Sequence, residues 1–307
     1  MTIVYRFGLV FALLALVVVF SLAAPAFLTV ANFQSILFNH FAILSLVAVG
    51  MTLVVASGGI DLSIGTAVDM ASLGYILLLA QGVHPAEAIA VGLLLAVLVG
   101  VFNAGLIATL DIPPFLATLG TLFIGQSIQQ LATNGGVPVY LIAGAPRPIF
   151  ALVDSARLWL VAGGLVASFA VMTYSPFGRR VLALGTGPQV ARYSGLSTKT
   201  LTLKVLLLSS LLAGIAGIIL SSSVKSYAPL SGNAYLMDAI GATFLGTTLN
   251  ATGRASIVGT LVGVLLLSVV KNGLLLLGVS FYWQQVVSGT LIFLVLAVSF
   301  SGKSAAH

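Results

Sequence analysis

Read from the N-terminus, the chain is a succession of long apolar runs separated by short polar or Gly/Pro-rich interruptions. A helix needs about 20 apolar residues to cross a bilayer. Phe7 to Ala24 is the first such run, behind Arg6. Ala24-Pro25-Ala26 imitates a leader-cleavage site, but the run is long for a leader and more spans follow, so a first transmembrane helix is expected. The polar stretch Asn32 to His40 then leads to a second span over Phe41 to Ser57. Further spans are expected over Ala86–Leu110, Phe115–Leu131, Leu158–Tyr174, Leu206–Ser221, Ala255–Val270 and Trp283–Phe300; Thr66–Ala80 is short for a full span and carries Asp69, and Tyr235–Leu249 is apolar but includes Asp238 and several Gly and Thr.

The interruptions are legible too. Gln81 to Pro85 reads as a turn. Asp111-Ile112-Pro113-Pro114 must break a helix, because proline lacks a donor and its predecessor avoids helical geometry. Ala132 to Ala156 reads as a Gly/Pro-rich loop, Lys225 to Asn233 as a turn-rich connection and Asn250 to Arg254 as a turn. Leu274 to Phe281 is a short apolar piece before the last span, where Tyr282 and Trp283 suit a membrane interface.

Two interruptions are of another kind. Gly58-Gly59-Ile60-Asp61-Leu62-Ser63-Ile64-Gly65 places three glycines and an acid inside otherwise apolar sequence, and predicts a broken helix at membrane depth or a tight corner. Asp238 to Gly253 repeats the theme in the second half. Paired interruptions of this sort mark the pathway in transporters built from two repeats. The echo here is one of composition, compatible with an inverted repeat.

Composition sharpens this. Of 307 residues 60% are hydrophobic and only 6% charged, against about 25% charged in a soluble domain. The fold class expected is therefore an all-α polytopic membrane protein, one transmembrane domain over residues 1–307 with about ten transmembrane helices, some broken or re-entrant. With no cysteine there is neither a disulfide framework nor thiolate chemistry.

Charge sets the orientation. Ser175 to Lys204 carries Arg179, Arg180, Arg192, Lys199 and Lys204 and no acid. Loops rich in Lys and Arg stay in the cytoplasm. Ten crossings with both termini cytoplasmic leave Arg6, Arg179, Arg180, Arg192, Lys199, Lys204, Arg254 and Lys303 inside and Arg147, Arg157, Lys225 and Lys271 outside or near the outer interface. The net charge of +6 thus speaks for topology, not for nucleic acid. Within residues 176–204, Thr186 to Gly195 reads as a short helix capped by Thr186 or Gly187, with Pro188 in its first turn and Gly195 ending it. Such an exposed helix fits a cleft on a soluble partner; the plainer reading is an interfacial helix on lipid head groups.

The candidate chemistry is sparse. An acid at membrane depth is costly and faces a cavity or a partner, which singles out Asp61, Asp69 and Asp238. The plainer readings are a helix start capped by Asp61 or Ser63 and intrabundle ion pairs for Asp69 and Asp238, with Lys271 or Arg254 as partners. Asn103, Gln126, Gln129 and Gln130 both donate and accept, which suits a polyhydroxylated solute, and equally suits hydrogen bonds between helices. Ser301-Gly302-Lys303-Ser304 resembles a phosphate loop only superficially, since position 297 is Ala297 rather than glycine and no strand precedes it. His40, His84 and His307 offer no metal cluster or catalytic set.

Several motifs resemble the permease subunits of bacterial ATP-driven importers for monosaccharides, the ribose-type group. They are GMTLVVASGGIDLSIG (Gly50–Gly65), IPPFLATLGT (Ile112–Thr121), FGRRVLALGTGPQVARYSGLST (Phe177–Thr198), LLAGIAGIIL (Leu211–Leu220), YLMDAIGATFLGTT (Tyr235–Thr248) and the stretch Gly253–Gly289. The resemblance implies a multi-pass protein of the bacterial inner membrane that forms the pathway for a monosaccharide or similar polyol. It implies a second permease copy or paralogue, a cytoplasmic ATPase holding ATP and magnesium, and a periplasmic sugar-binding protein, with no cofactor on this chain. Residues 185–195 would then be the coupling helix, with Gly185, Gln189, Arg192, Tyr193 and Gly195 at the ATPase. Where the group usually has GGN or GEN, this chain has Gly185-Thr186-Gly187-Pro188. The rivals are a branched-chain amino acid permease, against which GGIDLSIG argues, and an ion-coupled carrier using Asp61 or Asp238.

Overall fold

The computed structural model describes residues 2–141, 147–250 and 252–304. Part of the expected loop at 132–156, and the side chains of Arg6, Arg147 and Lys303, lie outside the described residues. The helices are α1 (Thr2–Ala23), α2 (Val30–Ser35), a π-helical turn (Ile36–Phe41), α3 (Ala42–Ala56), α4 (Ile64–Ala80), α5 (Pro85–Ala108), α6 (Pro114–Ala132) and α7 (Arg147–Tyr174). Then come α8 (Pro176–Thr186), α9 (Pro188–Tyr193), α10 (Thr198–Val224), α11 (Gly232–Thr247), α12 (Ile257–Leu276) and α13 (Phe281–Ser304). Two short strands, β1 (Val139–Tyr140) and β2 (Ser226–Tyr227), pair antiparallel, Val139 opposite Tyr227.

Every expected span is helical. Among the described residues five helical stretches are long and apolar enough to cross a membrane: Val30–Ala56, Pro85–Ala108, Val153–Tyr174, Thr198–Val224 and Ile257–Leu276.

Three boundaries differ from the sequence reading. The polar stretch at 32–40 is helical. The hydroxyl of Thr29 accepts from the Asn32 N–H at 3.3 Å to start α2, no Gly or Pro follows before Gly50, and the extra residues are absorbed in one π turn. The segment at 132–156 is not all loop, because α7 already begins at Arg147, with Pro148 in the first turn where its missing N–H does no harm. The basic segment at 175–204 is mostly helix. Ser175 accepts from the N–H groups of Phe177 (3.1 Å) and Gly178 (3.3 Å) to start α8, and Ser197 accepts from Thr200 to start α10.

The chain divides into two compact units, Val49–Met237 and Met1–Ala48 with Asp238–His307. At the heart of the first, α4, α5 and α10 pack on one another. Small residues make this close approach feasible, as is usual between membrane helices: a side chain at Gly100 would meet the Leu206 carbonyl, and one at Gly217 the Val68 carbonyl. Ser72 donates to the carbonyl of Gly217 at 2.9 Å, tying α4 to α10. In the second unit α1, α12 and α13 pack on one another, and Phe20 of α1 and Val269 of α12 join Phe27 and Ile36 in one apolar cluster. The Asn272 amide donates to Asn32 Oδ1 at 2.9 Å, and Asn32 donates to the Phe27 carbonyl.

Candidate functional site

Between α3 and α4 the backbone leaves the helix for residues 57–63, so the glycine-rich interruption is a true break. Asp61, fully buried, accepts from the Ser63 N–H (2.8 Å) and the Ser63 hydroxyl (2.6 Å) through Oδ1. Ser63 in turn accepts from the Asn103 amide on α5 at 2.6 Å, and Asn103 Oδ1 accepts from Thr121 on α6 at 2.6 Å. Thr118, one turn back on α6, takes the Leu62 N–H at 3.1 Å and approaches the Ile60 carbonyl. The break is therefore held on both sides by a buried polar chain. Replacing Asn103 by Leu should strip a donor from Ser63 and an acceptor from Thr121. Unmade buried hydrogen bonds cost about 1–3 kcal/mol, so thermal unfolding of the purified N103L protein is expected at lower temperature than that of the parent.

Asp69 lies in the second turn of α4. Its Oδ1 accepts from the Ser231 hydroxyl (2.8 Å) and the Gly232 N–H (2.9 Å), so it anchors the start of α11. Gln129 supports the same corner: its Oε1 accepts from the Tyr227 hydroxyl (3.1 Å) and the Leu230 N–H (3.0 Å). Gln126, half-buried, donates to Asn233 at 3.4 Å. The i,i+3 and i,i+4 spacing of Gln126, Gln129 and Gln130 puts all three near one side of α6, with Gln129 at its buried edge and Gln130 at its exposed edge. A helix turns by 100° per residue, and that separates positions 129 and 130.

In the second unit Asp238 pairs with Lys271, with both side chains almost wholly buried. Lys271 is thus inside α12, at a bundle ion pair, rather than at the end of a span. Among the described residues no three His, Cys, Asp or Glu side chains gather in a way that would hold a metal ion.

The α8–α9 corner is the exposed feature. Val181 and Leu184 of α8 and Ala191 of α9 point inward, while Arg179, Arg180, Gln189, Arg192 and Tyr193 are exposed. Tyr193 is 90% and Val190 69% exposed. The short helix is α9, capped at Gly187 and confined to Pro188–Tyr193; Gly185 belongs to α8. Gly195 has φ +77°, and Leu196 N–H bonds back to the Ala191 carbonyl at 3.1 Å, which is the glycine-terminated ending that stops a helix sharply. The corner is a short rod carrying cations and two large apolar groups outward.

Sequence reasoning passed over Thr118, Thr121, Tyr227 and Ser231, and saw in Ser63 only a helix cap. Hydroxyl residues are common in membrane helices, and nothing local marks the four that meet an acid or an amide from elsewhere in the chain.

The profile of the family described as "Branched-chain amino acid transport system / permease component" matches residues 33–296. The ribose import permease protein of Bacillus subtilis (strain 168) is 34% identical, over 98% of this chain and 94% of its own length. The ribose import permease protein of Escherichia coli (strain K12) is 33% identical over 94% and 91%. The autoinducer 2 import system permease protein of Photorhabdus laumondii is 32% identical over 97% and 92%. Among solved structures, an ABC transporter of the metal-chelate type in an inward-facing conformation matches with a TM-score of 0.53 at 13% identity, covering 95% of this chain and 98% of that one. That likeness concerns the fold.

Proposed function

We propose, from the premise that this chain belongs to the branched-chain amino acid transport system permease family, that it is the membrane subunit of an ATP-driven importer for a monosaccharide or similar polyol. What carries the reading is near full-length similarity to permeases named for ribose import. The amino acid in the family's description is the weaker guide, because the relatives that match this chain end to end are named for ribose and autoinducer 2. The chain is a permease component rather than a catalytic subunit. ATP and magnesium belong to a separate cytoplasmic ATPase, and a periplasmic binding protein delivers the solute.

In this reading the chain acts as one permease domain in a bacterial inner membrane, crosses it ten times with both termini inside, and pairs with a second copy or a paralogue. The α9 rod seats on the ATPase through Gln189, Arg192 and Tyr193, while Gly185 and Gly195 set the placement of the rod's two ends without touching the ATPase. Gln126 and Gln130 on α6 offer amides to the solute. Asp61, Asp69, Asn103 and Asp238 serve the pathway chiefly by holding the broken helix, the start of α11 and α12 in place.

The test is purification and reconstitution. Tagged at its C-terminus and expressed in its native host, the chain should co-purify with an identified ABC ATPase. In proteoliposomes the assembly should accumulate labelled sugar only with ATP and binding protein present. Uptake by the chain alone, driven by a proton gradient, would replace the importer with an ion-coupled carrier.

A further inference from the structure

The α8–α9 corner touches the α3–α4 break directly. A Cβ built on Gly185 would lie 3.0 Å from the Ala56 carbonyl carbon, closer still to its oxygen, and 3.1 Å from the Gly58 nitrogen. A Cβ built on Gly58 would lie 3.2 Å from the Gly185 Cα. Gly58 also has φ +89°, a conformation that any other residue adopts only with strain. Backbone therefore lies against backbone, with no side chain between to absorb a displacement by changing rotamer.

We propose that this Gly58–Gly185 contact is the joint through which movement of the α8–α9 corner reaches the broken helix. The proposal rests on the importer reading given above. On one side of the joint, the buried Val181, Leu184 and Ala191 tie α8 and α9 to the body, and only Gly187 separates the two helices. On the other side, residues 57–63 are gripped by Thr118 on α6 and, through Ser63, by Asn103 on α5. A push on Gly58 is thus delivered to α5 and α6 by hydrogen bonds that are already made. Gln126 and Gln130 ride on the same α6. Every residue in this path belongs to the unit Val49–Met237. Gly58 and Gly185 are positioning residues: they touch no solute and no nucleotide.

The experiment measures solute transported per ATP hydrolysed in proteoliposomes containing the full assembly with its ATPase and binding protein. Gly185→Ala inserts a methyl into the joint. It should leave the amount of bound ATPase unchanged and lower the transport ratio by about fivefold or more, the range of a typical coupling energy. Gly120→Ala, which faces open space, should keep the parental ratio. Thr118→Val keeps shape but releases the break from α6, and should also lower the ratio; it decides the matter if G185A fails to accumulate. A parental ratio in G185A, or in T118V when G185A is lost, overturns the joint. So does loss of bound ATPase in G185A, which would put Gly185 in the docking surface. A wild-type preparation that carries no ATPase defeats the importer reading itself, before any variant is compared.

Discussion

The double substitution Arg192→Glu, Tyr193→Glu is expected to abolish ATP-driven uptake while leaving the membrane part folded. Both side chains stand exposed on a six-residue helix, and their neighbour Ala191 does the packing. Removing them therefore takes nothing from the core. Arg and Tyr are the residue types that dominate interfaces, each worth about 2 kcal/mol or more where they anchor a contact. A single loss of that size is about 30-fold in affinity, and charge reversal adds repulsion against whatever acid on the ATPase faces Arg192. The expected readings are an unchanged gel-filtration peak and thermal transition for the purified chain, and loss of the co-purifying ATPase. Normal ATP-driven uptake by the variant would move the docking surface away from α9.

The second large effect concerns Lys271. Lys271→Met leaves the Asp238 carboxylate in a buried site with its partner gone. Breaking a buried pair by removing one member costs about 3–5 kcal/mol, whereas replacing both members with apolar groups is often neutral. Lys271 and Asp238 are 13% and 7% exposed in their side chains, so screening by water gives little relief. K271M should therefore lower the unfolding temperature strongly in detergent, and the double variant K271M/D238L should recover most of the loss. Equal instability of the single and double variants would show that the pair matters through packing rather than through charge.

The break at Gly58–Gly65 shows what could be read early and what could not. Three glycines and an acid in an apolar run announce that the helix stops. They do not say that Asp61 turns to Ser63, or that Ser63 reaches Asn103, 40 positions away. The glutamines on α6 teach the same point in reverse. Their spacing is plain, yet which of Gln129 and Gln130 turns inward depends on where Tyr227 and Leu230 arrive from the far end of α10. The short helix α9 was largely legible, because Pro188 and Gly195 act on their own backbone. The helix before it was not. In the basic segment charge drew attention to topology, while the start of α8 lay in a single capping serine, Ser175.

By itself the sequence determined the medium, the helical spans and the places where they stop, since apolar run length, proline and glycine act locally. It also determined the family, through motifs spread over most of the chain. Only the tertiary structure decided that Asp238 meets Lys271, that Asp69 anchors the start of α11, and that Gly185 lies against Gly58. These pairings join residues 33, 163 and 127 positions apart, the last by subtracting 58 from 185. Burial obliges each polar group to find a partner, but which partner it finds is set by how the helices stack.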